Sequence, residues 1–137
     1  MILYRGTPEP EAIPRPREYA AVFFAPTVEL AAEYGEFVQK YKVGRQRILN
    51  FGTPAARRLV FGFTGHRPAR DHHDELELDL FWHPTAKWVR FVLKAGYSAT
   101  AFGGDIAVFD LSGLRLLDRY RVSFEKSGRV RAESAPQ

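Results

Sequence analysis

Short apolar runs dominate the first fifty positions, and most are too brief for helices. Ile2 to Arg5 reads as a strand stopped by Gly6-Thr7-Pro8. Glu9 to Arg17 carries three prolines and predicts an irregular loop. Ala20 to Ala25 predicts a second strand, in which Val22-Phe23-Phe24 is too continuously apolar for a face in water. Pro26 and Thr27 then open a short helix: proline suits a first turn, the threonine hydroxyl can cap it, and Glu29 complements the dipole. Val28, Ala31 and Ala32 lie on one side of it, and Gly35 ends it. Phe37 to Val43 alternates, with Phe37, Tyr41 and Val43 on one face and Lys40 and Lys42 on the other, the pattern of a half-exposed strand.

The rhythm lengthens in the second half. After a turn at Gly44 to Gln46 and a strand at Ile48 to Phe51, Thr53-Pro54 marks a helix start with Ala55, Leu59 and Val60 facing the core. Gly62 to Asp74 reads as a polar loop. One or two helices follow, the clearer from Pro84 to Lys94, where Trp88, Val89, Val92 and Leu93 make an apolar stripe and Gly96 is the stop. Ile106, Val108 and Phe109 belong to a strand entered through Gly103-Gly104. Leu114 to Val122 alternates as a last strand, and the chain from Ser127 looks frayed. Strands interrupted by about three helices, without regular alternation, predict an α+β fold with largely antiparallel sheets. The expected layout is one domain over residues 1–126 with a flexible tail over 127–137.

Composition sharpens this in three ways. A chain of 137 residues with 45% apolar and 14% aromatic content suits one globular domain. No run is long enough to span a bilayer, and Met1-Ile2-Leu3-Tyr4 leads into no signal-peptide pattern, so a soluble, cytoplasmic protein without membrane partners is expected. Cysteine is absent, which removes disulfides, thiolate metal sites and a cysteine nucleophile. The net charge of +4 is unevenly spread: Arg115, Arg119, Arg121, Lys126, Arg129 and Arg131 crowd the end of the chain, and Asp71, Asp74, Glu75, Glu77 and Asp79 form an acidic block. Such blocks can steer a phosphate-bearing ligand, an acidic protein or a nucleic acid; the plainer reading is two solvated faces.

Asp105 is the first candidate for chemistry. A carboxylate at a strand mouth, beside two glycines that leave room for a ligand, can stabilise positive charge on something bound there. Gly-Gly-Asp is equally ordinary hairpin chemistry, and on this stretch alone the turn is the better reading. His72-His73, with Asp71, Asp74 and Glu75, has metal-ligand residue types, but adjacent histidines share no face, so no metal is expected.

Three stretches, in order, change the weighing: Leu3-Tyr4-Arg5-Gly6-Thr7, then Val22-Phe23-Phe24-Ala25 with Ala31-Ala32-Glu33-Tyr34, then Gly104-Asp105-Ile106-Ala107-Val108-Phe109-Asp110. Together they resemble the ADP-ribosyltransferase superfamily, which uses NAD as donor. The first is similar to that family's opening strand, with His or Arg followed by Gly and Thr. The second is similar to its aromatic-Phe-Ala strand end leading to a Ser-Ala-x-Tyr helix, and the third to the strand that begins with the catalytic Glu. The resemblance implies a split, mostly antiparallel β-sandwich of two small sheets. It implies that Arg5 contacts the phosphate or ribose of NAD, that Gly6 and Thr7 belong to the same strand motif, and that the Gly6 backbone holds the nicotinamide amide. Phe23 and Tyr34 would sandwich the nicotinamide ring, with Phe24 and Ala25 completing the strand end, and Asp105 would stand where the family has Glu.

The chemistry explains the residue types: cleaving the nicotinamide–ribose bond develops oxocarbenium character, which a nearby carboxylate offsets. This chain departs from the pattern at Asp105, one methylene shorter than Glu, and at Ala25 and Ala31, where relatives carry hydroxyls. Phe23 lacks the hydroxyl of the polymerase branch. The mixture of Arg-type and polymerase-type features implies a small bacterial or phage mono-ADP-ribosyltransferase, an effector or toxin that modifies a macromolecule, in the first place a protein. The alternatives are an NAD glycohydrolase, an RNA phosphotransferase of the same fold, or a catalytically silent binding module that uses the basic C-terminal region to hold protein or nucleic acid. Arg5 also has a structural reading, as a partner of Asp110 or Glu33.

Overall fold

The computed structural model describes residues 1–9, 21–65, 75–125 and 127–134. Their elements, in order, are β1 (Ile2–Thr7), β2 (Val22–Phe24), α1 (Val28–Ala31) continued by a 3-10 turn (Ala32–Tyr34), β3 (Phe37–Lys42), β4 (Ile48–Asn50), α2 (Pro54–Thr64), α3 (Glu75–Trp82), α4 (Ala86–Lys94), β5 (Ala99–Phe102), β6 (Asp105–Val108), β7 (Arg115–Phe124) and β8 (Val130–Ser134). The fold is α+β, with two four-stranded, mostly antiparallel sheets in the orders β1-β3-β7-β8 and β2-β6-β5-β4. The chain divides into two compact units: residues 1–14, 23–45 and 111–137, and residues 15–22 and 46–110.

The first unit carries the sheet β1-β3-β7-β8 with α1 and its 3-10 continuation. Ala25, Ala31, Ala32, Val38 and Val122 form its buried cluster, with Tyr4, Val28, Tyr120 and Val130 packed against them. Val38 corrects the expectation of a lysine-lined outer face on β3. It shares that face with Lys40, yet it is fully buried, because β3 lies between β1 and β7 and the short helix covers this end of the strand. The tail expected from Ser127 onward is likewise corrected, since Val130–Ser134 pairs antiparallel with β7.

In the second unit, β4 and β5 are parallel, a pairing that demands a long crossover, and α2, α3 and α4 occupy the chain between them. Leu49, Ala56, Val60, Leu80, Trp88 and Val92 make the buried centre. The α2 helix runs through Gly62 to Thr64, where the sequence suggests loop, because Phe63 packs edge-on against Trp88 at 5.2 Å. Glu77 departs from the expected solvated acidic face: it is 3% exposed, and its Oε2 accepts the Gly52 backbone N–H at 3.2 Å, tying α3 to the turn that precedes α2.

Helix starts follow the threonines. Thr53 caps α2 by accepting the Ala56 amide, and its hydroxyl donates to the Asn50 carbonyl at 2.7 Å. Thr53→Ala should lower stability by about 1 kcal/mol, read as a shifted denaturation midpoint at unchanged slope. A midpoint equal to wild type would mean that the cap contributes nothing.

Candidate functional site

β1 pairs antiparallel with β3, setting Arg5 opposite Gln39, Gly6 opposite Val38 and Thr7 opposite Phe37. Its other edge is fastened at Tyr4, which exchanges two backbone hydrogen bonds with Ala25, of 2.8 and 2.7 Å. Two residues further on, the helix comes very close. A Cβ at Gly6 would lie 1.7 Å from the Ala31 carbonyl oxygen and 3.3 Å from Cβ of Tyr34. Only a residue without a side chain permits that approach. The Thr27 hydroxyl accepts the Leu30 amide at 3.2 Å, which fixes where the helix begins, and Tyr34 at its far end stands beside the strand with 47% of its surface exposed.

Three of the expected NAD-contacting residues have their side chains committed to the fold. Thr7 is 2% exposed, and its hydroxyl donates to the Glu9 carbonyl, with the Phe37 carbonyl 3.5 Å away. Ala25 is buried, and Phe24 meets Tyr41 edge-on with ring centroids 5.8 Å apart. Phe23, turned the other way by strand alternation, is half-buried. Arg5, Gly6, Phe23 and Tyr34 are thus the members of this set in the first unit that are not fully enclosed.

Asp105 belongs to the second unit, whereas the other seven site residues belong to the first. It is half-buried, opens β6 and pairs with Phe102 across Gly103-Gly104. Both glycines have positive φ, 58° and 96°, the geometry of a two-residue hairpin whose twist matches its strands. The turn reading of Gly-Gly-Asp is therefore realised, and the turn also fixes where the carboxylate leaves the backbone.

A polar constellation that sequence reasoning missed runs across the first sheet. Arg5 on β1, Gln39 on β3 and Arg119 on β7 stand in one row, each pair in direct register, so their side chains leave the same face. Gln39 is 2% exposed, and its Oε1 accepts both the Tyr41 hydroxyl at 2.8 Å and an Arg5 N–H at 3.4 Å. Burial pushes the Tyr41 hydroxyl pKa up, and the positive charges of Arg5 and Arg119 pull against that rise, so this hydroxyl feels both guanidiniums. Arg119 reaches the row only because the β3–β7 pairing skips Leu117 between Tyr41↔Leu116 and Lys40↔Asp118, a one-residue bulge that reverses which side chains face which way. On the opposite face Tyr120 is also pushed up, by burial first and then by the charge and hydrogen bond of Asp118. The available sequence signal was a glutamine inside a strand and an arginine within a basic run, and neither marks a site without the register.

His66, His72 and His73, with Asp71 and Asp74, lie outside the described residues. Among the described residues no group of three or more His, Asp or Glu could hold a metal, and no helix is long and apolar enough to cross a membrane. No family model matches the sequence, and no curated protein matches it. Among solved structures, the crystal structure of an anti-CRISPR protein is similar at a TM-score of 0.44 and 17% identity, over 85% of this chain and 93% of that one. A likeness of that size carries no statement about activity.

Proposed function

We propose that the chain is a cytoplasmic mono-ADP-ribosyltransferase that moves ADP-ribose from NAD to a macromolecular acceptor, a protein in the first instance. The bond from nicotinamide to the ribose breaks with its electron pair leaving on nicotinamide. The acceptor heteroatom then bonds to the ribose carbon and gives up its proton. The observation that carries this reading is the meeting of Gly6 and Tyr34, 28 residues apart in sequence, where a half-exposed aromatic ring stands beside a strand whose preceding residue is Arg5. A ring beside a backbone without a side chain suits a flat heteroaromatic ligand, since the ring gives a face and the strand's peptide groups give hydrogen bonds. In this reading Asp105 supplies the carboxylate that offsets charge developing on the ribose.

The test is incubation with labelled NAD and candidate lysates, following nicotinamide release and labelled acceptor together. Asp105→Ala should lower transfer on the order of a hundredfold or more, and Tyr34→Ala should weaken NAD use, while Arg58→Ala at an exposed position of α2 leaves both unchanged. Transfer that survives Asp105→Ala undiminished sinks the mechanism. Nicotinamide release without a labelled acceptor would turn the reading to a glycohydrolase.

One observation favours a second reading, that of a nucleic-acid binder without transfer activity: β7 and β8 and the turn between them expose Arg115, Arg121, Arg129 and Arg131. Binding of that kind must weaken steeply with added salt, and a salt-insensitive complex excludes it.

A further inference from the structure

Charged groups taken out of water are almost always paired, and the arginines of β7 and β8 divide on this point. Arg121, with its side chain 68% exposed, has Glu36 at 3.7 Å, and Arg131, 64% exposed, has Glu133 at 3.2 Å. Arg119 is the more enclosed of these residues, yet its Nε is buried without a hydrogen-bond partner, and among the described residues its guanidinium forms no ion pair. Its row neighbour Gln39 is neutral, and the Gln39 oxygen is already engaged by Tyr41 and Arg5. The nearest carboxylate along the chain, Asp118, alternates to the other face and accepts the Arg119 backbone N–H at 2.8 Å.

We propose that Arg5 and Arg119, on either side of Gln39, form an anion site that takes the diphosphate of a nucleotide ligand, with Arg119 as a binding residue. One strand, β3, separates the arginines, so their backbones lie two strand spacings or about 10 Å apart, and two side chains reaching inward from that distance can clasp one small anion between them. Guanidinium is the suitable group, because its planar fork presents parallel N–H donors to phosphate oxygens. The Leu117 bulge is what brings the second arginine onto this face. The choice of a diphosphate rests on the NAD reading; the existence of an anion site rests on Arg119 alone.

The experiment is calorimetric titration of the full chain with inorganic pyrophosphate and, separately, with ADP-ribose, with nicotinamide release from NAD measured on the same preparations. Wild type should bind both, and Arg119→Gln should weaken both by roughly tenfold to a hundredfold, the worth of a charge-assisted hydrogen bond or two. Arg119→Lys, which keeps the charge and loses the fork, should fall between them, and Arg121→Gln should match wild type. Denaturation midpoints of each variant show whether a loss reflects folding. Binding unchanged in a folded Arg119→Gln overturns the site, as does a wild type that binds neither ligand. Pyrophosphate binding that is lost in Arg119→Gln while wild type releases no nicotinamide upholds the anion site and removes the transferase.

Discussion

Gly6→Ala should cost the first unit about 3 kcal/mol or more, a large share of the stability a domain of this size holds. A methyl group at Gly6 would sit 1.7 Å from a backbone oxygen of Ala31, so no side-chain rotation relieves the clash, and α1 must leave β1. Leaving is expensive: Ala31 and Ala32 are buried there together with Val38 and Val122. Gly44→Ala is the matched control, because its Cβ would meet nothing within 4 Å and its φ is not positive. That variant should be neutral, or stabilised by about 0.4–1 kcal/mol through a less flexible unfolded chain. Denaturation followed by circular dichroism reads both. A wild-type midpoint in Gly6→Ala would mean that the helix moves away freely, and the placement of Tyr34 would then have no anchor.

The second large effect belongs to Trp88, whose truncation to alanine should cost about 3–5 kcal/mol. It is fully buried, stacked with Phe51 and Phe91 at 6.2 Å each and meeting Phe63 at 5.2 Å, so removing it leaves a cavity walled by rings that cannot all close in. Its indole Nε1 is buried without a hydrogen-bond partner among the described residues, a cost that wild type carries. Trp88→Phe loses volume but also removes that stranded donor, so its penalty should be much smaller, about 1 kcal/mol. The gap between the two variants in a denaturation series measures the ring packing apart from the N–H. Equal losses would show that a phenyl ring recovers none of the packing at this position.

Local punctuation made much of this fold legible. Thr27 and Thr53 cap the helices they precede, Pro54 sits in a first turn, and Gly35 closes the 3-10 turn, because each effect needs only neighbours along the chain. What was not legible depends on distant partners. Gly62 reads as a breaker, but Phe63 beyond it has Trp88 to pack on, and that contact carries the helix through. Val130–Ser134 alternates Val130 and Ala132 with Arg131 and Glu133, but it is short and carries only one large apolar side chain, and it forms a strand because β7 offers it a free edge. Glu77 looks like one more acid in an acidic run, and only the fold reveals a backbone amide waiting for it.

The candidate site divides in the same way. The order Arg5-Gly6, Phe23 and Tyr34 could be read directly, since a motif is a string. That Thr7, Phe24 and Ala25 turn inward could not, because a motif does not record which face of a strand is covered. Arg119 was harder still: its membership in a row with Arg5 depends on one skipped residue in a strand pairing, and no local pattern around Leu117 announces it.

The Gly103-Gly104 link leaves little slack in the ribbon beneath Asp105. Both of its residues occupy conformations that ordinary side chains avoid, and the strands on either side are held in register, so neither sliding nor lengthening is cheap. How far the acid extends into its surroundings is therefore governed by the number of carbons between its backbone and its oxygens, a quantity that a single codon can change while the support under it stays put.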